Sequence, residues 1–197
     1  MPFVSDLLMH NDYIEISDLD LKERDITLLH IVDEEDLSNF TFEGLKRRLK
    51  IHPEKLSRIL SRLLSQEIIK KRNNGYALTP KAKKLLKSKS SESPNSNVPL
   101  LQTFLPPKIS INKIINTLQN KWFGQLRWLG HSETKNGITL KWITTDAKNI
   151  ISATFYQGKL QIYGKTVSNN NNLNDALEAS HQLMGYITKL ITSNEHN

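Results

Sequence analysis

The chain contains two kinds of hydrophobic pattern. Between residues 18 and 87, apolar positions recur every three or four residues along 21–32 and 56–64, which predicts amphipathic helices. Between residues 108 and 197, apolar and polar residues alternate in four short runs, which predicts antiparallel strands. One helical pattern precedes these strands and a long one follows them. The pattern therefore predicts an α+β chain with two domains, 18–87 and 108–197.

The first domain is predicted to run helix, helix, helix, hairpin, helix. Thr41 can cap the second helix, and Pro53 fits the first position of the third, where a missing N–H costs nothing. Only Lys50, Ile51 and His52 separate these two helices. Asn74-Gly75 between two short strands is typical of a hairpin turn. Two helices joined by a short turn and followed by a basic hairpin form a winged helix-turn-helix.

The second domain is predicted to be α-β-β-β-β-α, an antiparallel sheet with two helices on one face. The other sheet face would carry Arg127, Leu129, His131, Lys141, Ile143, Ser152, Thr154, Tyr156, Gln161, Tyr163 and Lys165. Leu129, Ile143, Tyr156 and Tyr163 are more apolar than a solvent-facing surface requires. We expect this face to bind a second subunit or a ligand, while plain solvent exposure and nucleic-acid binding through the tyrosines remain alternatives.

Two segments fit neither domain. Residues 88–107 open with a stretch rich in serine, proline and asparagine, which predicts a flexible linker. Residues 1–17 form an N-terminal segment that the pattern does not place.

Composition excludes several classes of protein. The chain has no cysteine, so disulfides, thiolate metal sites and cysteine nucleophiles are absent. The sequence shows no phosphate-binding glycine loop, nucleophile elbow or paired metal-binding histidines. We therefore expect no enzyme activity, no catalytic residues, no metal and no cofactor. No secretory signal or apolar span is apparent, so a cytoplasmic protein without membrane contact is expected.

Charge is distributed unevenly along the chain. Residues 1–40 hold eleven acidic and two basic residues, whereas residues 41–87 hold fourteen basic and three acidic, a net charge of +11. A positive field of this density within 47 residues suits a polyanion. The basic residues fall on the second helix, the third helix and the hairpin, the three elements of a winged helix that touch DNA.

Because the leucines of the third helix are predicted to be buried, the residues on its opposite side are expected to be exposed and able to contact DNA. The third helix would enter the major groove and read bases, where arginine can pair with guanine and serine with several bases. Its candidate base-reading residues are Lys55, Ser57, Arg58, Ser61 and Arg62. Residues on the flanking elements are better placed for phosphates, which set affinity and orientation without reading sequence. These candidates are Thr41, Lys46, Arg47, Arg48, Lys70, Lys71, Arg72, Asn73 and Asn74.

Part of the first domain also resembles a known family. Three segments resemble the recognition-helix-to-wing region of MarR-like and archaeal winged helix-turn-helix regulators. They are Leu60-Ser61-Arg62-Leu63-Leu64, Ile68-Ile69-Lys70-Lys71-Arg72 and Tyr76-Ala77-Leu78-Thr79-Pro80-Lys81-Ala82-Lys83-Lys84-Leu85-Leu86. The resemblance covers about 65 residues and does not extend to the second domain. It implies a winged-helix fold and transcriptional regulation.

Together these observations predict a transcriptional regulator that binds double-stranded DNA. The second domain would form a homodimer, sense a small-molecule effector, or both. The alternative is an adaptor of the transcription or replication machinery whose winged helix docks protein. The two readings differ in their salt dependence, because binding to DNA through basic residues weakens steeply as ionic strength rises.

Overall fold

A computed structural model describes residues 20–87, 97–134, 137–167 and 173–195. Within this part of the chain, residues 20–87 form an N-terminal unit and residues 97–195 a C-terminal unit. The unplaced segment 1–17 lies outside the described residues. The elements of the N-terminal unit are α1 (Glu23–Glu34), β1 (Asn39–Phe40), α2 (Phe42–Leu49), α3 (Pro53–Ser65), β2 (Ile69–Arg72), β3 (Gly75–Leu78) and α4 (Pro80–Lys87).

The C-terminal unit adds one strand to the predicted arrangement. Its elements are β4 (Val98–Phe104), α5 (Ile111–Leu118), β5 (Leu126–Thr134), β6 (Gly137–Thr144), β7 (Asn149–Tyr156), β8 (Lys159–Thr166) and α6 (Leu173–Glu195). The predicted helix, four strands and helix are present in order, and β5 to β8 pair antiparallel in succession. The α+β class is thereby confirmed. Among the described helices, none has the length and apolar character needed to cross a membrane.

Local sequence signals fix the predicted helix starts. The Thr41 hydroxyl accepts a hydrogen bond from the Gly44 amide at 3.1 Å, which satisfies one of the free N–H groups at the start of α2. Ser110 caps α5 in the same way through the Lys113 amide. Pro53 occupies the first turn of α3, as predicted.

All eight described strands belong to one antiparallel sheet, in the order β2-β3-β1-β5-β6-β7-β8-β4. The two-residue strand β1 joins the units, because Asn39 and Phe40 pair with β3 on one side and with β5 on the other. Hydrogen bonds from the amide of Ser38 to the carbonyl of His131, and from the amide of Thr41 to the carbonyl of Leu129, flank this junction at 3.1 Å each. The two units are therefore joined by backbone hydrogen bonds within one sheet.

Two glycines permit the close approach at this junction. A Cβ at Gly130 would overlap the carbonyl oxygen of Asn39 on β1. A Cβ at Gly44 in α2 would lie 2.8 Å from the Cα of Leu129, a distance that real Cβ atoms do not adopt. The absence of both side chains allows β1 and α2 to rest directly on β5.

The sheet has a separate core on each face. On the front face, Leu129, Ile143 and Ile150 pack against the apolar residues of α1, α2 and α3. On the back face, Trp128, Trp142 and neighbouring residues of the sheet pack against α5 and α6. The helices of the N-terminal unit therefore cover part of the front face of the C-terminal sheet.

This packing corrects the interface expected at the front face. Leu129 and Ile143 are fully buried, so they are not available to a second subunit or a ligand. This face has an excess of apolar residues because the helices of the N-terminal unit pack on it. Tyr156 is 37 % exposed and Tyr163 is half-buried on the remaining, more polar part of that face.

The linker predicted at 88–107 is also corrected where the structure describes it. Val98–Phe104 forms β4, which pairs with β8 at the edge of the sheet with an irregularity between Pro99 and Leu101. Proline is tolerated there because the outer side of an edge strand has no partner to lose. Residues 88–96 lie outside the described residues.

The shared front-face core predicts that truncating Leu129 destabilises the chain. We expect Leu129→Ala to lower the free energy of unfolding by about 2–5 kcal/mol, because a buried leucine leaves a cavity. Leu177→Ala is the matched control, since Leu177 is 40 % exposed on α6, and it should cost about 0.5 kcal/mol or less. Urea unfolding measures both. Equal losses would contradict the burial of Leu129 between the units.

Candidate nucleic-acid interface

Helix α3 presents one polar face to solvent. Leu56, Ile59, Leu60 and Leu63 are buried at helical spacing, which leaves the opposite side open. This exposed side carries Lys55, Ser57, Arg58 and Ser61. Four of the five residues predicted to read bases therefore lie together on an accessible surface.

The turn between α2 and α3 is short and depends on one strained residue. Helix α2 ends at Leu49 and α3 begins at Pro53, and Lys50 adopts a left-handed conformation with φ of 53°. A left-handed residue directly after a helix ends it, here with a lysine where glycine is usual. The tight turn fixes the angle at which α3 follows α2.

The hairpin of β2 and β3 carries the second group of basic residues. Its strands pair from Ile69 with Leu78 to Arg72 with Gly75, as the sequence predicts. Gly75 has a φ of 144°, a conformation that residues with a side chain rarely adopt. The side chains of Lys70, Lys71, Arg72, Asn73 and Asn74 are exposed along the outer strand and the tip.

Five cations of these elements are unengaged. Among the described residues, no hydrogen-bond or ion-pair partner contacts the charged groups of Lys55, Arg58, Lys70, Lys71 or Arg72. Such charges keep their full attraction for an incoming anion, because no internal partner has to be displaced.

Arg62 has a different role from the predicted one. Its guanidinium donates to both carboxylate oxygens of Asp25 on α1, at 2.8 and 2.6 Å, and Asp25 is fully buried. Burial raises the pKa of Asp25, but the hydrogen bonds from Arg62 and from the Lys22 amide outweigh that effect and the pKa lies below its ordinary value. Arg62 therefore anchors α3 to α1 and is not free to read a base.

Three basic residues of α2 are also engaged within the chain. Arg48 donates twice to Glu35, at 3.1 and 2.9 Å, and its side chain is only 12 % exposed. Lys46 forms an ion pair with Glu43, and Arg47 makes a long hydrogen bond of 3.5 Å to the carbonyl of Thr145. Arg48 is withdrawn from the predicted phosphate contacts, whereas the exposed pair of Lys46 is weak and open to exchange.

The tip of the hairpin lies beside the C-terminal unit. A cleft of about 470 Å³ separates Lys71, Arg72 and Asn74 from Asn120 and Trp122 in the connection between α5 and β5. Trp122 is 61 % exposed, and the Arg127 guanidinium stacks over its ring at 4.9 Å. The sequence does not predict this neighbour, because only the pairing of β1 with β5 brings it to the hairpin.

The described residues also bear on metal binding. They contain no group of three or more histidine, aspartate or glutamate side chains arranged to hold a metal ion. The two buried acidic residues of the N-terminal unit, Asp25 and Glu35, are instead paired with arginines.

The Asp25–Arg62 pair predicts a defined dependence of stability on pH. Asp25→Asn should lower the free energy of unfolding at pH 7 by about 1.5–3 kcal/mol, the range for hydrogen bonds to a charged group. Because the folded-state pKa of Asp25 lies below its ordinary 3.8, this contribution is present above that value and is lost as pH falls through the folded-state pKa.

Urea unfolding between pH 2.5 and 7 measures the difference between the wild type and Asp25→Asn. The matched control is Glu23→Gln, which removes an exposed carboxylate from the same turn of α1 and should change stability little. A difference for Asp25→Asn that persists unchanged at the lowest pH would contradict the charged pair.

No family model, curated protein or solved structure was found to match this chain.

Proposed function

We propose that the protein is a DNA-binding transcriptional regulator whose residues 20–87 act as a winged helix-turn-helix. In this proposal α3 is the recognition helix and the β2–β3 hairpin is the wing. The observation that carries the proposal is the set of five unengaged cations on these two elements, Lys55, Arg58, Lys70, Lys71 and Arg72.

The order of elements supports the proposal. Helix α1, the short β1, α2, a three-residue turn, α3 and a two-stranded hairpin follow one another without interruption. A helix of 13 residues preceded by a tight turn can present its N-terminal half to the major groove. The basic hairpin would then lie over the neighbouring phosphates.

In this proposal the predicted residues have different roles. Lys55, Ser57, Arg58 and Ser61 would face the base edges, with Arg58 as the candidate for guanine. Lys70, Lys71, Arg72 and the two asparagines of the tip would hold phosphates. Arg62 would set the position of the recognition helix through Asp25, which is a structural contribution to the same function.

Homodimerisation remains part of the proposal, because a single small domain reads few base pairs and a two-fold partner doubles the contacts. The partner subunit would not dock on Leu129 and Ile143, since both are buried. Apolar side chains exposed elsewhere on the C-terminal unit, Phe104 and Tyr186 among them, offer other surfaces.

Selection of bound sequences from random double-stranded DNA, followed by fluorescence anisotropy at several salt concentrations, tests the proposal. Arg58→Ala should cost about 1–3 kcal/mol on the selected site and relax its sequence preference. Lys71→Ala should weaken selected and random DNA alike and reduce the slope of log affinity against log salt by about 1.

Lys113→Ala is the control, because it removes an exposed lysine from α5, outside the proposed interface. It should leave affinity and salt slope unchanged. Equal losses on selected and random DNA for Arg58→Ala would remove base reading from the proposal. A wild-type protein that shows no salt-dependent DNA binding would contradict the function and favour the adaptor that docks protein.

A further inference from the structure

We propose that the cleft between the tip of the β2–β3 hairpin and the connection between α5 and β5 binds an unpaired nucleotide, with its base stacked on Trp122 and its phosphate held by Lys71 and Arg72. A free mononucleotide and a single strand of DNA or RNA both carry this chemistry. The site adjoins the wing of the proposed function and shares both cations with it, but binding at the site does not require duplex DNA.

Trp122 is an aromatic side chain that the fold holds out to solvent. It is 61 % exposed and lines the cleft, whereas the other two tryptophans of the chain, Trp128 and Trp142, are 5 % and 0 % exposed. An aromatic ring that is open to solvent beside basic residues is the surface on which proteins stack unpaired bases, largely without regard to base identity.

The connection that carries Trp122 is fixed by its neighbours. The indole N–H of the buried Trp142 donates to the carbonyl of Lys121 at 3.0 Å, and the Phe123 ring packs 5.8 Å from that of Trp142 in the back-face core. The backbones of Phe123 and Leu126 exchange two hydrogen bonds, at 3.0 and 2.7 Å. Because the residues on both sides of Trp122 are held in place, little further ordering is needed when a base stacks on the indole.

Arg127 adds a fixed positive charge beside the ring. Its guanidinium donates to the carbonyls of Gly124 and Leu126 at 2.7 and 3.1 Å, and it lies 4.9 Å from the centre of the Trp122 ring. Among the described residues, no carboxylate forms an ion pair with it. Arg127 does not line the cleft, so the part of the indole that faces the cleft stays open for a base.

The opposite wall of the cleft supplies the charge for a phosphate. Lys71 and Arg72 are exposed, line the cleft and have no hydrogen-bond or ion-pair partner for their charged groups within the described part of the chain. Glu43 is the acidic residue of this lining, and its carboxylate is paired with Lys46 at 2.6 Å, which reduces its repulsion of an anion. A phosphate can therefore meet two cations whose charges are not compensated.

The lining also contains side-chain amides. Asn74 and Asn120 line both this cleft and an adjoining cavity of about 300 Å³, which is lined by Asn73 and Gln119 as well. None of these four amides forms a side-chain hydrogen bond with another described residue. Because an amide has both donors and an acceptor, it can pair with the mixed edge of an unpaired base. The cleft therefore offers partners for the edge of a base as well as for its ring and its phosphate.

This combination selects a nucleotide among the classes of ligand. A simple anion would use the two cations and leave the indole unused, while an apolar ligand would leave both cations unused. A base within a duplex is stacked between its neighbours, so its faces are not accessible to Trp122, whereas an unpaired base can be splayed out and stacked. The cleft volume of about 470 Å³ lies in the range of sites for small ligands.

Isothermal titration calorimetry of the full chain measures the binding. The probes are the four deoxynucleoside monophosphates and a four-nucleotide single strand of each base. Three compounds carry part of the chemistry: deoxyadenosine lacks the phosphate, ribose 5-phosphate lacks the base, and a tetraglutamate peptide supplies only negative charge. We expect at least one monophosphate to bind with a Kd below about 1 mM, and each partial compound to bind at least about tenfold more weakly.

The same titrations separate the two sources of the nucleotide. Tighter binding of a single strand than of its monophosphate would identify a strand as the ligand, because further phosphates then contribute. Equal binding of the two would identify a free nucleotide. Both results support the site.

Variants assign the binding to the cleft. Trp122→Ala should weaken binding of the monophosphate by about 5- to 150-fold, the range for loss of one base–aromatic stack, and it should retain the fold because the side chain is exposed. Trp122→Phe should restore most of the affinity, since phenylalanine keeps an aromatic ring. Phe104→Ala is the matched control, because Phe104 is 70 % exposed and has the Lys159 ammonium over its ring at 5.4 Å but does not line the cleft. It should bind like the wild type.

Failure of every monophosphate and every single strand to bind would overturn the inference. Binding of a partial compound as tight as that of the nucleotides, or undiminished binding by Trp122→Ala, would overturn it as well. A protein that binds nucleotides as expected but shows no salt-dependent binding of duplex DNA would refute the proposed function and leave the site standing. Duplex binding without nucleotide binding would refute the site alone.

Discussion

The pairing of β1 with β5 is the interaction on which the rest of the structure depends. Strand β1 has only two residues, yet it links the hairpin of the N-terminal unit to the meander of the C-terminal unit. Without this pairing Leu129, Ile143 and Ile150 would lose the helices that cover them. The hairpin would also lose its neighbour at Trp122. Gly44 and Gly130 are required at the junction because a side chain at either position would hold the units apart.

The junction also explains how the uneven charge of the chain is used. The acidic residues of α1, together with Glu35 directly after it, bind Arg62 and Arg48 within the N-terminal unit and Lys165 of the C-terminal unit. Part of the positive charge that was predicted to bind DNA is therefore neutralised by ion pairs, which fix the helices and join the units. Free cations remain on α3 and the hairpin, but the local net charge overstates the charge available to a ligand.

The sequence predicts those features of the fold that depend on interactions between neighbouring residues. The cap at Thr41, the proline at the start of α3 and the Asn-Gly hairpin are short-range signals, and each appears where predicted. The alternation of apolar residues likewise predicts the four strands of the meander and the division of their faces.

These patterns do not predict contacts between residues that are far apart in the sequence. The excess of apolar side chains at Leu129 and Ile143 indicates that something must cover them, but not that the helices of the N-terminal unit do so. Arg62 has the spacing of an exposed residue, and only the approach of Asp25 engages it. The sequence does not predict strand β4, because this strand contains Pro99 and belongs to a stretch that is typical of a linker. The edge position of β4 in the sheet tolerates the proline. A polar cavity between the end of α1 and the sheet, lined by Glu35 and Lys141, depends on the same approach of α1 to the sheet.

Amide hydrogen exchange at Ser38 and Thr41 tests the joining of the two units most directly. Their amides donate across the junction to the carbonyls of His131 and Leu129. If the shared sheet is one cooperative structure, both amides should exchange as slowly as those in the central β6–β7 pair, because exchange then requires global unfolding. Exchange at rates near those of an unstructured peptide, with β6–β7 still protected, would show that the units fold separately and would contradict the account.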